Sequence, residues 1–266
     1  MDTVLYQKLK IEIHSTTGIN LDSYKDEQMR RRLDAWLVRT GARSWEDYII
    51  RLRTDKEENT RFRNYLTINV TEFFRDFDKW EQLKKNILPN LLHDSINLRG
   101  LGDGLRVWSA GCSIGAEPYS LTMILNDLAP NRRHFILATD LDRGALAKAT
   151  AGGPYLLEEI KNVPEPYKKL YFHQNGDKAV IQENLIKKIT FKEHNLLSDP
   201  YERDLDLIIC RNVVIYFTTE AKDYIFRNFH QSLRTGGILF LGGTEIIPRP
   251  NELGFTSSGI SFYKKL

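Results

Sequence analysis

The chain is 266 residues long, 41% hydrophobic and 27% charged, enough for one large domain or two modest ones with a core that needs no metal or disulfide staples. Its 38 Lys and Arg against 35 Asp and Glu give a formal net charge of +3, which argues against a protein that coats polyanions but leaves room for a local basic patch. No window approaches the ~18 consecutive apolar residues of a membrane helix, and the first residues lack the basic and apolar regions of a secretory signal. The two cysteines, Cys112 and Cys210, have no zinc-site spacing around them. The expectation is a cytoplasmic, metal-free protein with free thiols and no insertion into the membrane.

The first part of the chain reads as several short helices. Met29, Leu33, Trp36, Leu37 and Val38 fall near helical spacing, with Asp26 and Glu27 at the end a helix dipole makes positive and Gly41 as a stop. Ser44, with Asp47 three residues on, resembles a capping box and opens a helix that turns Trp45, Tyr48, Ile49 and Leu52 inward. From Leu105 onward, apolar strands alternate with amphipathic helices: strands are predicted at 105–111, 134–140, 188–195, 205–212 and 237–243, and helices at 118–129 and 219–233. This alternation implies right-handed crossovers and a parallel sheet, with the final residues as an antiparallel edge hairpin. Residues 153–188 break the rhythm with a short helix and a hairpin turning at Asn175-Gly176, which predicts a small inserted β-subdomain. The expected domains are a helical one at 1–75, ending in a linker, and a catalytic one at 76–266 that carries the insert.

The first predicted strand runs into SAGCSIGAEPYSL, with Gly111 and Gly115 in the turn before a helix. Glycine there admits a ligand close to the backbone, and the helix N-terminus offers free N–H groups. The Gly-x-x-x-Gly spacing departs from the dinucleotide fingerprint. The next strand ends in Asp140, a position from which a carboxylate accepts both hydroxyls of a ribose. Singly, these features also read as two glycines easing a turn and an aspartate capping a helix. Together they form a nucleoside-binding layout at the carboxyl edge of a sheet. The histidines avoid the strand tips, apart from His194 beside one; the tips offer Asn195 and the pair Arg211-Asn212 instead. LRTGG before the fifth strand resembles the Leu-x-Pro-Gly-Gly turn of Rossmann-like methyltransferases, which favours S-adenosylmethionine over a nicotinamide.

Four segments in order, NYLTINVTEFFRD (64–76), VWSAGCSIGAEPYSL (107–121), ATDLD (138–142) and CRNVVIYF (210–217), resemble the CheR-type chemotaxis receptor methyltransferases, and the resemblance extends over essentially the whole chain. It implies an α/β fold: a Rossmann-like S-adenosylmethionine-dependent methyltransferase domain with a small all-α N-terminal domain and an inserted antiparallel β-subdomain. The implied reaction moves a methyl group onto glutamate side chains in the cytoplasmic helices of chemoreceptors, leaving a γ-carboxyl methyl ester and S-adenosylhomocysteine. A glutamate of pKa about 4.3 is already ionised at neutral pH, so such chemistry needs alignment and exclusion of water, not a general base. By matching positions, Asn69, Thr71 and Arg75 are expected to close over the cofactor from the linker. Arg75 is also expected to hold an anionic carboxylate; its plainer reading is a surface ion pair with Asp76 or Asp78. Gly111 belongs to the cofactor-facing turn. Glu117 is expected to meet the methionine ammonium, Asp140 the ribose, Asn195 and Leu196 the adenine, and Arg211 and Asn212 to floor the methionine end. Tyr216 is expected beside the reacting methyl and, with Arg75, counts as catalytic. Phe73 and Phe74 are expected to pack, and Cys112 to serve as a backbone donor in its loop.

Residues 30–53 hold seven Arg, no Lys and three acids, a local net of +4. As pattern alone this is a solvated helix face. Under the resemblance it faces glutamate-bearing receptor helices, and Arg30, Arg31, Arg32 and Arg39 are expected to bind them through bidentate contacts. The expected partner is then a chemoreceptor and not nucleic acid, since CRNVVIYF lacks the Asn/Asp-Pro-Pro-Tyr tip used on exocyclic amines; the expected state is a monomer. The short hairpin turn HQNGDK leans toward an enzyme that does not bind a receptor C-terminal pentapeptide. A methyltransferase with another substrate, and a non-catalytic module that senses S-adenosylmethionine, remain as alternatives.

Overall fold

Capping and apolar spacing account for the helices at the start of the chain. The structure, a computed structural model, describes residues 1–67 and 71–266. Two compact units emerge, Met1–Ile68 with Val213–Tyr224, and Asn69–Asn212 with Ile225–Leu266. In the first, α1 (Thr3–Thr17) begins where Asp2 accepts the Leu5 N–H and ends at Gly18 in the left-handed conformation. α2 (Asp26–Thr40) stops at Gly41, φ 66°. α3 (Trp45–Thr54) opens on Ser44, whose hydroxyl accepts the Asp47 N–H at 3.2 Å, and α4 (Lys56–Leu66) opens on Asp55, which accepts the Glu57 and Glu58 amides.

The inward faces of these helices make an aromatic core. Trp36, Trp45, Tyr48 and Phe62 meet with ring centroids 5.6 to 6.4 Å apart. A buried polar chain threads it: the Trp36 indole donates to the Tyr48 hydroxyl at 2.6 Å, which donates to Glu58 at 2.8 Å. Met29, Leu33 and Trp36 are buried as expected, but Val38 is 83% exposed. Two residues past Trp36 is more than half a helical turn, so Val38 faces away. The later segment joins the helices through a bridge between Tyr24 and Phe217 and through the Lys25 N–H, which donates to the Tyr216 carbonyl at 2.9 Å.

In the second unit, α5 (Phe77–Gln82) passes through a wider π-type turn into α6 (Leu88–Arg99). β1 (Asp103–Ala110), α7 (Ala116–Leu128), β2 (Arg133–Asp140) and α8 (Arg143–Ala151) follow. The insert contains β3 (Tyr155–Leu156), α9 (Glu165–Tyr171), β4 (Phe172–Asn175), β5 (Lys178–Ile181) and α10 (Glu183–Ile186). The chain returns through β6 (Thr190–Glu193) and β7 (Leu205–Cys210), then α11 (Thr219–Ser232), of which only the part from Ile225 belongs to this unit, β8 (Leu233–Leu241), β9 (Phe255–Ser257) and β10 (Phe262–Lys265). The main sheet runs β6-β2-β1-β7-β8-β10-β9, parallel from β6 to β8, with β10 antiparallel to both neighbours. β7 is buried at every residue, as a central strand covered on both faces must be.

The insert is its own antiparallel sheet, β3-β5-β4. Asn175 pairs with Lys178, so the turn residues are Gly176 and Asp177, one position later than the sequence suggested; Gly176, φ 61°, supplies the positive φ that a two-residue hairpin loop needs first. The insert grips the segment leading into α5. The Phe73 N–H donates to the Glu159 carbonyl at 3.0 Å, Lys161 pairs with Glu72 at 3.4 Å, and the Phe73 ring stands edge-on to Tyr155 and Phe172. Phe73 and Phe74 are both buried.

Candidate active site

β2 and β6 lie on one side of β1, and β7 and β8 lie on the other. The chain therefore reverses its progress across the sheet between β1 and β7, and this opens a crevice outside the carboxyl ends of the strands. Each of the five parallel strands delivers a loop there.

After β1, Gly111 (φ 87°) and Cys112 both donate their N–H to the Thr139 carbonyl, at 2.8 and 2.9 Å, and the Ser113 N–H donates to the Asp140 carboxylate at 2.7 Å. Asp140 also accepts the Asp142 N–H at 2.9 Å. Burial pushes its carboxyl up, and these amides pull it back. The helix cap of α8 is Asp142, which accepts the Ala145 N–H, so capping does not explain Asp140. The two glycines differ in purpose. A Cβ on Gly115 would stand 2.9 Å from that of Ala149, so this residue serves close packing of α7 on α8.

Glu117, in the first turn of α7, is buried and accepts the Ser109 hydroxyl at 2.7 Å. Burial raises its carboxyl to about 7, against the pull of Arg211 and the Ser109 hydroxyl, while Glu245 pushes it further up. After β6, Asn195 accepts the Leu197 N–H and donates its own N–H to Asp199, each at 2.9 Å, and buried Leu196 accepts the Tyr201 hydroxyl through its carbonyl. The pairing of Glu193 with Asp140 sets this segment beside the acid of β2.

After β7, the Arg211 side chain is 4% exposed and donates to the Arg75 carbonyl at 2.9 Å and the Asp76 carboxylate at 2.6 Å. Its guanidinium lies 4.9 Å from the Phe240 ring centroid and 5.7 Å from that of Trp80. Asp76, considered above as a partner of Arg75, thus pairs with Arg211. Asn212 (φ 60°) donates its N–H to Glu245 at 2.8 Å, and Glu245 accepts the Gly242 N–H at 2.7 Å. A cavity of about 430 Å³ is lined by Arg75, Asp76, Lys79, Asn212, Gly243 and Thr244, among others. Phe74, Asp76, Ser113 and Asn212 all hold φ between 47° and 60°. Such backbone costs on the order of 1 kcal/mol per residue and collects at functional sites.

The family model described as "CheR methyltransferase, SAM binding domain" matches residues 69–262, and "CheR methyltransferase, all-alpha domain" matches residues 5–67. The chain belongs to the CheR methyltransferase family. Relatives include the chemotaxis protein methyltransferase of Listeria monocytogenes, 40% identical over 93% of this chain and 92% of its own length. That of Borreliella burgdorferi is 33% identical over 88% and 85%. Chemotaxis protein methyltransferase 1 of Pseudomonas aeruginosa is 32% identical over 98% and 97%. The fold is that of an S-adenosylmethionine-dependent methyltransferase with an all-α N-terminal domain and a separate antiparallel sheet, and the cofactor is S-adenosylmethionine.

The residues present fit that cofactor. It carries a sulfonium and an ammonium against one carboxylate, and the crevice offers three buried or half-buried carboxylates, Asp140, Glu117 and Glu245, against buried Arg211. Arg211 Nε is buried with no hydrogen-bond partner among the described residues.

Within the second unit the structure thus gathers Gly111, Glu117, Asp140, Asn195, Leu196, Arg211 and Asn212 at neighbouring strand tips, with Arg75 on the cavity wall and Thr71 in the segment before it. Asn69 lies outside the described residues. Tyr216 falls in the first unit, in the turn Val214–Tyr216. Of the four arginines expected at a receptor, Arg31 and Arg39 are exposed. Arg30 instead lies 4.2 Å over the Tyr6 ring, and Arg32 lies 4.6 Å over the Tyr65 ring and donates to the Tyr65 carbonyl. These two are engaged within the helical unit, because long side chains on the flank of a helix cover neighbouring rings. Ser109 and Glu245 were not anticipated, and Asp76 was expected only as a surface partner of Arg75. Glu245 had a signal: GGTE follows the fifth strand directly, in the same carboxyl-tip position as the other site loops.

Proposed function

We propose that this methyltransferase esterifies glutamate side chains of chemoreceptor cytoplasmic helices in sensory adaptation. The observation that carries the proposal is the anionic crevice at the β1/β7 reversal beside the Arg75-lined cavity, in a chain whose relatives are named chemotaxis protein methyltransferases. When bound, S-adenosylmethionine supplies an electrophilic methyl group that a carboxylate oxygen attacks directly.

The chain's own residues bind and align. Glu117 meets the ammonium, Asp140 the ribose hydroxyls, Asn195 and Leu196 the adenine, while Gly111 keeps the loop open to close approach. Arg211 and Asn212 floor the methionine end. Asn69, Thr71 and Arg75 close over it from the linker, with Arg75 holding an anionic carboxylate through its forked guanidinium. Tyr216 orients the sulfonium. The helical domain at 1–75 recognises the receptor through its exposed arginines, Arg31 and Arg39 foremost, and the catalytic domain spans 76–266. The enzyme works as a cytoplasmic monomer and does not depend on a receptor pentapeptide. Among the described residues no helix is long and apolar enough to cross a membrane.

The test is transfer of methyl-labelled cofactor to receptor-bearing membranes, followed by base. Carboxyl methyl esters release volatile labelled methanol. Label that resists base would assign a different substrate, and no transfer would favour a sensing module.

A further inference from the structure

Glu245 is 4% exposed and lies in the loop that leaves β8. Its N–H donates to the Gly242 carbonyl at 3.0 Å, so residues 242–245 form a closed turn that presents Gly243 and Thr244 to the Arg75-lined cavity. One oxygen of its carboxylate accepts two backbone amides from different strand tips: Asn212 after β7, at 2.8 Å, and Gly242 after β8, at 2.7 Å. A Cβ on Gly242 would stand 2.7 Å from this oxygen and 3.0 Å from the Asn212 nitrogen, so the two tips leave no room for a larger residue. Asn212 is held at φ 60°, a conformation that persists only where its surroundings over-determine it.

We propose that Glu245 is a positioning residue of the methyl-transfer site. It ties the β7 and β8 tips together through the Asn212 and Gly242 amides, and its buried negative charge joins that of Glu117 to form the pole that receives the cationic methionine end of the cofactor. This rests on the reading that Glu117 meets the ammonium. Among the described residues, the charged and titratable groups whose fields reach Glu117 include Arg211 after β7, Glu245 after β8, and the buried thiols of Cys112 and Cys210. Arg211 already has Asp76 as its partner, so the second carboxylate is not needed to neutralise it.

Calorimetric titration of Glu245→Gln tests the idea, because glutamine keeps an acceptor for the Asn212 and Gly242 amides and removes the charge. Two ligands are compared: S-adenosylhomocysteine, and methylthioadenosine, which lacks the ammonium and carboxylate. At about pH 8 the variant binds S-adenosylhomocysteine about tenfold more weakly, the equivalent of one pKa unit of interaction, and binds methylthioadenosine as the wild type does. The pH at which S-adenosylhomocysteine affinity is half lost also moves down, since a like charge beside Glu117 has gone. Unchanged binding of S-adenosylhomocysteine overturns the proposal, and so does an equal loss for both ligands. Glu245→Ala, which removes the acceptor as well, weakens both ligands; methylthioadenosine binding left intact by it overturns the tip-holding role. Glu117→Gln separates the two readings. Wild-type affinity in that variant removes the Glu117 assignment, whereas a weakened Glu117→Gln beside an unaffected Glu245→Gln removes only the present one.

Discussion

The ionisation of Glu117 should make cofactor binding pH-dependent. Burial lifts its carboxyl from 4.5 to about 7 in the ligand-free protein. That rise corresponds to roughly 3 kcal/mol of penalty on the ionised form. The sign follows from which state prefers the proton. The folded carboxyl binds its proton more tightly than the unfolded one does, so this group's contribution to stability is fully present below 4.5 and is lost as pH rises through about 7. A cationic ammonium placed against it reverses the preference and favours the ionised form. S-adenosylhomocysteine affinity should therefore be flat above about pH 8 and fall about tenfold per unit below about 7.

Glu117→Gln abolishes this limb and lowers the affinity plateau. At about pH 8 it also removes a buried charge that has no bound cation, so the ligand-free variant melts a few degrees higher than the wild type. Calorimetry from about pH 5.5 to 8.5 gives the first readout, and scanning calorimetry without ligand gives the second. Wild-type binding that ignores pH across this range, or a Gln variant that keeps the acid limb, would refute the reasoning.

Two further outcomes follow from the same structure. Arg31→Glu with Arg39→Glu raises KM for receptor membranes by about tenfold or more while S-adenosylhomocysteine affinity stays at wild type; unaltered receptor kinetics would remove these exposed arginines from substrate docking. Phe73→Ala opens a cavity among Tyr119, Tyr155 and Phe172 and lowers the stability of the catalytic unit by about 3–5 kcal/mol, measured by urea titration; a loss below about 1 kcal/mol would mean that the insert does not grip the linker through this ring.

Local signals carried most of the architecture. Ser44 and Gly41 mark helix ends because capping is decided within a few residues, and those positions behave as their chemistry requires. The apolar runs at β1, β2, β7 and β8 stand out because a parallel sheet is covered on both faces. The strand-tip rule then locates Asp140, Asn195, Arg211 and Asn212 from the chain order of strands alone. What escaped the sequence depends on contacts between distant segments. Nothing local tells that residues 213–224 gather with the N-terminal helices, or that Asp76 pairs with Arg211 across 135 positions of chain. The arginine run shows the same limit. Periodicity identifies the face of α2, but whether a guanidinium reaches solvent or a ring depends on where Tyr6 and Tyr65 lie.

The distribution of charge in the crevice follows from the chemistry proposed for it. Transfer of a methyl group from a sulfonium to a carboxylate removes one positive and one negative charge, so a negative group beside the sulfur would stabilise the ground state and slow the step. A negative group at the ammonium or the ribose is harmless, because those parts are unchanged by the reaction. In the proposed arrangement Glu117 and Asp140 serve those two ends, and Glu245 backs Glu117. Arg211 is spent on Asp76 and the Arg75 carbonyl, which fixes the course of the linker that carries Arg75. The carboxylates are thus used for affinity, and the arginines for placing the linker and the anionic groups. Near the reacting atoms this leaves a carboxylate nucleophile that is already ionised, and alignment is what the protein has to supply.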